Sequence, residues 1–364
     1  MKHITIYRKP GSFAGWPANY GMWSWDDEIV VGFTAGSMNP DGGFHARDTS
    51  KPFVAMQARS LDGGETWVTQ ATPCETPGGR GLSADEHVVP ELQVGKVLEN
   101  EDLLPWRTDD INFTHPEFAL MCGRSGLADG AVSWFYVSQD RCHTWQGPYR
   151  LPAFGKTGVA ARTDYLVDGP DSCGLFLTAA KATGGEGRVF YVQTTDGGKS
   201  FNLISNVGPE PGGFAIMPAS VRLSSDRILV ALRCRTPGGT FTTTRHYIDL
   251  FATNDNGKTW SHLSQPVSVT GKGGNPPTLT KLQDGRLCLV YGFRDKPYGI
   301  RARISTDDGV TWGDELVLRD DGGSHDIGYP RTVQRPDGVM VSAYYYNDKA
   351  DGERYIAATL WSPE

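Results

Sequence analysis

Short apolar runs set the rhythm of the chain. ALMCGR (119 to 124), LFLTAAK (175 to 181), ILVALRCR (228 to 235), LCLVYGFR (287 to 294) and VMVSAYYY (339 to 346) are six to eight residues long and bounded by turn-forming residues. KHITIYR (2 to 8) alternates polar and apolar positions in the manner of a strand with one covered face. No window of eleven or more residues has the periodicity of an amphipathic helix, so the predicted elements are almost all strands. Gly and Pro, 45 and 23 of the 364 residues, are spread evenly and punctuate these runs throughout instead of marking one linker.

Five of the turns share a signature. SLDGGETW (60 to 67), SQDRCHTW (138 to 145), TTDGGKSF (194 to 201), TNDNGKTW (253 to 260) and STDDGVTW (305 to 312) all read Ser/Thr, any, Asp, two turn residues, any, Ser/Thr, aromatic. An Asp carboxylate can accept backbone N–H bonds across a tight turn, Gly and Asn tolerate positive φ, and the aromatic packs between sheets. Asp62, Asp140, Asp196, Asp255 and Asp307 are separated by 78, 56, 59 and 52 residues. That spacing suits a four-stranded antiparallel unit repeated radially, with an insertion at about 72 to 108 between the first two units. After the last box the chain supplies three more strands and no fourth, and KHITIYR is the free strand that would complete the set. The expectation is one all-β domain over 1–364, a six-bladed β-propeller whose ring is closed by the N-terminal strand, leaving no open sheet edge.

Composition narrows the partners. Lys plus Arg number 35 against 42 Asp plus Glu, a formal charge of −7, so the basic surplus of a nucleic-acid binder is missing. No run is long enough for a membrane span, and MKHITIYRKP has no apolar leader. A cytoplasmic location is expected if Met1 is the true start, and a secreted one if a leader has been removed. The six cysteines are scattered singly, without a CxxC pair, and are expected to be reduced thiols. No HExxH or clustered His/Asp spacing points to a metal, and no cofactor is expected. KATGGEGR (181 to 188) is glycine-rich but opens no helix, and is read as a hairpin loop. The oligomeric state is not legible.

Register locates candidate chemistry. Roughly twenty residues beyond each box a new first strand begins at Arg162-Thr163-Asp164, Met217-Pro218, Asn275-Pro276 and Tyr329-Pro330, and Arg8-Lys9-Pro10 is assigned the same place in the first unit. The second strands end in cations at Arg124, Lys181, Arg235 and Arg294. An acidic chain that gathers its cations at one level of a repeat has the makings of an anion site, since guanidinium matches carboxylate bidentately. The alternative is that each Arg pairs with an acid between neighbouring units.

The boxes resemble the Asp boxes, or BNR repeats, of the sialidase superfamily, and the resemblance covers the whole chain. It implies that the five box aspartates are structural and lie away from the active site. Within that family Tyr7-Arg8-Lys9-Pro10 is similar to the strand of the first arginine, with Lys9 in place of Ile. Asp48 is similar to the acid/base, and Arg233, sharing its strand face with Arg235, to the second arginine. Arg294 or Arg301 is similar to the third, and Tyr329 to the nucleophile. Met217 stands where the family's glutamate is expected, leaving Glu117, Asp164 or Asp326 to activate the tyrosine. The implied mechanism suits an anomeric carbon bearing a carboxylate, which repels an anionic nucleophile but admits a neutral phenol with a base beside it. Asp48 would need a pKa raised towards the working pH.

The resemblance thus implies an exo-acting glycoside hydrolase that cleaves a terminal, sialic-acid-like sugar from an oligosaccharide or glycoconjugate. Tyr329 and Asp48 would be catalytic, and Arg8, Arg233, Arg294, Arg162, Asp164 and Arg124 would bind substrate. A diverged glycosidase or lyase acting on another sugar such as a uronic acid, and a carbohydrate-binding propeller without catalysis, are the alternatives. At the residue level Asp48 also reads as a turn Asp beside Arg47, and Tyr329 as a buried strand aromatic before Pro.

Overall fold

A computed structural model describes residues 1–77, 110–240 and 242–363. The greater part of the expected insertion at 72 to 108 lies outside the described residues. The chain is organised as successive antiparallel meanders. The N-terminal strand β1 (Lys2–Tyr7) stands apart from its sequence neighbours. The first meander holds β2 (Ser12–Gly15), β3 (Met22–Trp25), β4 (Glu28–Ser37), β5 (Val54–Ser60) and β6 (Val68–Ala71), with one helical turn, α1 (Pro17–Tyr20), between β2 and β3. The second holds β7 (Ala119–Arg124), β8 (Ser133–Ser138) and β9 (Gln146–Arg150). The third runs β10 (Val159–Gly169), β11 (Ser172–Ala180), β12 (Glu186–Thr194), β13 (Asn202–Asn206), and the fourth β14 (Phe214–Arg222), β15 (Ile228–Arg235), β16 (His246–Thr253), β17 (Ser261–Val267). A single parallel bridge, Arg188 to Ala215, joins these two. The fifth comprises β18 (Pro277–Lys281), β19 (Leu287–Phe293), β20 (Gly299–Ser305) and β21 (Leu316–Arg319). The last comprises β22 (Gly328–Gln334), β23 (Met340–Tyr346) and β24 (Tyr355–Trp361), with β1 added antiparallel to β24.

Apolar side chains on both faces of the meanders bury them against one another. Trp23 and Val30 of the first meet Met121, Trp134 and Trp145 of the second, and Leu120 and Phe135 of the second meet Leu175 and Phe190 of the third. Comparable clusters join third to fourth, fourth to fifth and fifth to last. Phe13, Val31 and Phe33 of the first meanwhile pack with Val341, Ile356 and Ala358 of the last. All six cysteines are free thiols, and five are buried. No helix among the described residues is long and apolar enough to cross a membrane.

Each box connects the last two strands of its meander, and its chemistry repeats closely. Oδ1 of Asp62, Asp140, Asp196, Asp255 and Asp307 accepts the backbone N–H four residues on at 2.9–3.0 Å, and Oδ2 accepts the hydroxyl of that residue at 2.6 Å. The Ser or Thr two residues earlier donates to Oδ1 at 2.6–2.8 Å. Positive φ falls on the two turn residues of every box, including Arg141 (55°) and Cys142 (65°), where glycine is absent.

The register distinguishes the two ends of the strands. Thr253, which opens the fourth box, pairs with Ile228 at the start of β15, whereas Arg235 at the other end of β15 pairs with His246. The cations at the ends of the second strands therefore lie at the end remote from the boxes.

Candidate active site

Three first strands carry a bulge where the register places candidate chemistry. The pairing of β14 skips between Ile216 and Ala219, that of β22 between Gly328 and Arg331, and that of β10 between Ala161 and Tyr165. The skipped residues begin with Met217, Tyr329 and Arg162. Met217 and Tyr329 have φ of 53° and 50° and both precede Pro. That is the left-handed region, uncommon for a large side chain and held only by the surrounding packing. Trp16, before Pro17, has φ 60°. The first meander thus presents Trp16 at this position, and Arg8 directly follows β1, which belongs to the last sheet. The cue lay in Gly-Trp-Pro, which matches Gly-Tyr-Pro at 328 to 330.

Tyr329 is the hub. Its hydroxyl accepts from Arg233 Nη1 at 3.1 Å, its backbone N–H donates to Asn275 Oδ1 at 2.8 Å, and it is 9% exposed. Arg233 and Arg294 approach the ring with Cζ 5.9 and 5.5 Å from its centroid. Arg233 also donates to the Gly273 carbonyl and meets Met217 Sδ at 3.5 Å. Arg294 donates to the carbonyls of Ile327 at 3.0 Å and Gly274 at 2.8 Å and to the Tyr345 hydroxyl at 2.6 Å. Arg233 and Arg235 both lie over Phe214, 5.4 and 4.9 Å from its centroid. Arg233 and Arg294 are thus gathered around one phenol, with Arg235 next to Arg233 over Phe214. Arg301 is elsewhere, donating to Pro297 and Arg319 carbonyls and pairing with Glu315, so Arg294 is the member of that pair brought to the cluster.

Behind Arg294 lies a buried carboxylate. Asp326 accepts from His45 Nδ1 at 2.6 Å, Tyr345 OH at 2.9 Å, the Ala46 N–H at 2.9 Å and Arg354 Nε at 2.9 Å. Burial would raise its pKa, but His45, Arg354 and the Ala46 N–H outweigh burial and hold it well below the carboxylate range. His45 in turn is held below its usual value, chiefly by burial, against the opposing pull of Asp326. This fixes the loop after β4 against the last sheet and sets His45 edge-on to Trp16, ring centroids 5.3 Å apart.

The remaining expected residues are distributed otherwise. Arg8 pairs with Asp348 at 2.6 Å and Glu353 at 2.8 Å and lies over Tyr355, so its guanidinium is engaged at the edge of the last sheet. Asp48 accepts from the Ser50 N–H and hydroxyl at 3.0 and 2.6 Å and pairs with Lys51 at 3.0 Å. These contacts pull its pKa down to about 2, opposite to the rise that acid catalysis near neutrality needs. Arg162 donates to Asn19 at 3.2 Å and pairs with Glu186 at 3.2 Å. Arg124 is buried and donates to the Ala161 carbonyl at 3.5 Å. Asp164 accepts from the Ser220 N–H at 3.1 Å. Glu117 pairs with Arg141 of the second box at 3.2 Å.

Of the three acids expected to serve Tyr329, Glu117 and Asp164 are thus engaged elsewhere, and Asp326 reaches it only through Tyr345 and Arg294. The acid that sequence reasoning missed is Glu186. Besides pairing with Arg162 it stands near enough to Arg233 to favour the charged guanidinium, against the burial that lowers that residue's pKa. It sits at the start of β12 in the loop read as a plain hairpin, and it is the loop's one acid.

An Asp-box β protein with a tyrosine, three arginines and a nearby glutamate on the strand ends remote from the boxes is the class that fold and site define. The BNR repeat-like domain family matches over residues 118–342, and the chain belongs to that family. No curated protein matches the chain. Among solved structures it is similar to a Dyadobacter fermentans protein of unknown function, at 21% identity and TM-score 0.71, covering 99% of this chain and 97% of that one. It is also similar to the Hadza microbial sialidase Hz136, at 13% identity and TM-score 0.62, covering 97% and 66%. The GH93 α-L-arabinofuranosidase of Fusarium graminearum with arabinobiose aligns at 12% identity and TM-score 0.63, over 100% and 98%. At these identities the likeness is one of fold.

Proposed function

We propose that the chain is a single six-bladed propeller that acts as an exo-glycosidase on a terminal acidic sugar of an oligosaccharide or glycoconjugate. The contacts of the first meander with the last, and of β1 with β24, support closure of the ring. The observation that carries the activity is the Tyr329 hydroxyl bonded to Arg233, with Arg294 against the same ring and Arg235 beside Arg233 over Phe214. A guanidinium on the phenol oxygen favours the charge that develops as the proton leaves, and the low-dielectric surroundings magnify this effect. In this reading Tyr329 attacks the anomeric carbon, Glu186 takes its proton, and the arginines receive the substrate carboxylate. Asp48 protonates the leaving oxygen once substrate replaces Lys51 and dries the turn, which lifts its pKa from about 2.

One observation favours a second reading, a neutral furanoside as substrate. Arg8 is held by Asp348 and Glu353, and Arg233 and Arg294 already donate to protein acceptors, which weakens a carboxylate clamp. An arabinofuranosidase is among the neighbours that align over nearly the whole of both chains.

Turnover of chromogenic α-sialosides, uronides and α-L-arabinofuranosides separates the readings. On whichever substrate is cleaved, Tyr329→Phe is expected to lower kcat by about a hundredfold or more. It also costs about 1 kcal/mol of stability, because Arg233 loses an acceptor. Cleavage of the arabinofuranoside alone supports the second reading. Unchanged kcat in Tyr329→Phe removes the nucleophile, and binding without turnover of any class makes the protein a lectin-like module.

A further inference from the structure

The opposite end of the sheets has a site of its own. Val167 of β10 pairs with Cys173, which pairs with Thr194, the residue that opens the third box, so this end of β10 is the box end. A cavity of about 350 Å³ opens there, lined by Met22, Trp23, Asp164, Tyr165, Val167 and Arg331 among others. Arg331 lies two residues past Tyr329 and Asp164 two past Arg162, each further along its strand towards the boxes. Asp164 and Arg331 thus stand nearer the boxes than Arg162 and Tyr329 do.

Its polar groups are incompletely satisfied. Asp164 is 7% exposed, and while Oδ1 accepts from Ser220, the buried Oδ2 has no hydrogen-bond partner. Arg331 donates through Nη2 to the carbonyls of Ala18 and Thr163, yet its buried Nε has no partner either. Native proteins pair nearly all such atoms, so both side chains keep unused hydrogen-bonding capacity beside the cavity. Burial raises the Asp164 pKa to about 6, with Arg331 pulling the other way.

The chemistry of the lining selects the ligand. An anion would meet the Asp164 carboxylate and a cation the Arg331 guanidinium, so neither sign of charge fits both. A neutral molecule with adjacent hydroxyls can donate to one and accept from the other, and its C–H face suits the Trp23 and Tyr165 rings and the Met22 thioether. We propose that the cavity between Asp164 and Arg331 is a second binding site, for a neutral monosaccharide or cyclic polyol, at the box end of the propeller. It is independent of any catalysis at Tyr329.

The test is an NMR titration of the full chain with D-glucose, D-galactose, L-arabinose and myo-inositol, and with lactate and ethanolamine as charged probes. At least one neutral probe is expected to bind. Asp164→Asn, which exchanges a charge-assisted bond for a neutral one, should weaken it about tenfold. Met22→Trp, which fills the mouth, should abolish it, while Tyr329→Phe should leave the Kd within about twofold. Met22→Trp carries the test if circular dichroism shows Asp164→Asn to be misfolded. Binding that survives both cavity variants but is lost in Tyr329→Phe would place the sugar at the other end and overturn the proposal. Binding of a charged probe alone, or of none, would overturn it as well.

Discussion

Asp326→Asn removes one charge from a carboxylate that four donors share. In the native protein Arg354, its side chain 4% exposed, is neutralised by Asp326 at 2.9 Å. Breaking such a buried pair by deleting one partner costs about 3–5 kcal/mol, because the remaining charge stays desolvated. Asparagine cannot restore the balance: its one oxygen accepts from one or two donors, and its NH2 confronts another of His45, Tyr345, Arg354 or the Ala46 N–H. The sign with pH follows from the lowered pKa. A carboxyl held below its ordinary value of 3.8 stabilises the fold above that value and ceases to do so as the pH falls through its folded pKa. Urea denaturation followed by Trp fluorescence is therefore expected to show the variant about 3–5 kcal/mol less stable at pH 7. The gap should narrow by roughly 1 kcal/mol at pH 3. A cost below about 1 kcal/mol at pH 7, or a gap that does not narrow in acid, would refute the reasoning. In the variant His45 and the loop after β4 should also loosen, visible as faster amide exchange at Ala46.

Two further outcomes are expected. Arg8→Ala should leave KM for any cleaved substrate within about twofold and cost less than about 1 kcal/mol, since its ion pairs are partly exposed; a large rise in KM would return Arg8 to the substrate. Asp140→Ala should lower stability by about 1–2 kcal/mol through lost turn hydrogen bonds while kcat stays unchanged, because the second box lies at the end of the strands away from Tyr329; a fall in kcat at full occupancy of the fold would contradict that separation.

The box hairpins were legible because each is closed by contacts within four residues, so its sequence contains its own explanation. Asp48 was half legible for the same reason: Ser50 and Lys51 stand beside it, and the turn they make is what the local reading of a turn Asp implied. Arg8 was not legible. The acids that occupy it arrive from a hairpin some 340 residues away, and only the pairing of β1 with β24 brings them. Tyr329, Arg235 and Arg294 could be placed by register because the repeat fixes which strand ends are level, and Arg233 came from the family resemblance and from sharing a strand face with Arg235. Glu186 lay off that register, in a glycine-rich loop whose composition says turn and nothing about charge. His45 gave no signal at all, since its partner Asp326 is 281 residues distant.

The placement of β1 has a consequence for synthesis. His3 and Thr359 bond across 356 residues, so the strand that leaves the ribosome ahead of the other strands is among the last to find its place. At about 5–20 residues per second that wait is roughly 20 to 70 seconds. Throughout it Lys2–Tyr7 is an unpaired amphipathic strand, and β24, once made, is an exposed edge until β1 returns. A bulky fusion at the N-terminus, or loss of a few residues from Tyr355–Trp361, would leave that edge available to another copy of the chain. Expression with the two ends joined by a short linker, and cut open instead between two meanders, would shorten the wait and reduce aggregation of the nascent protein.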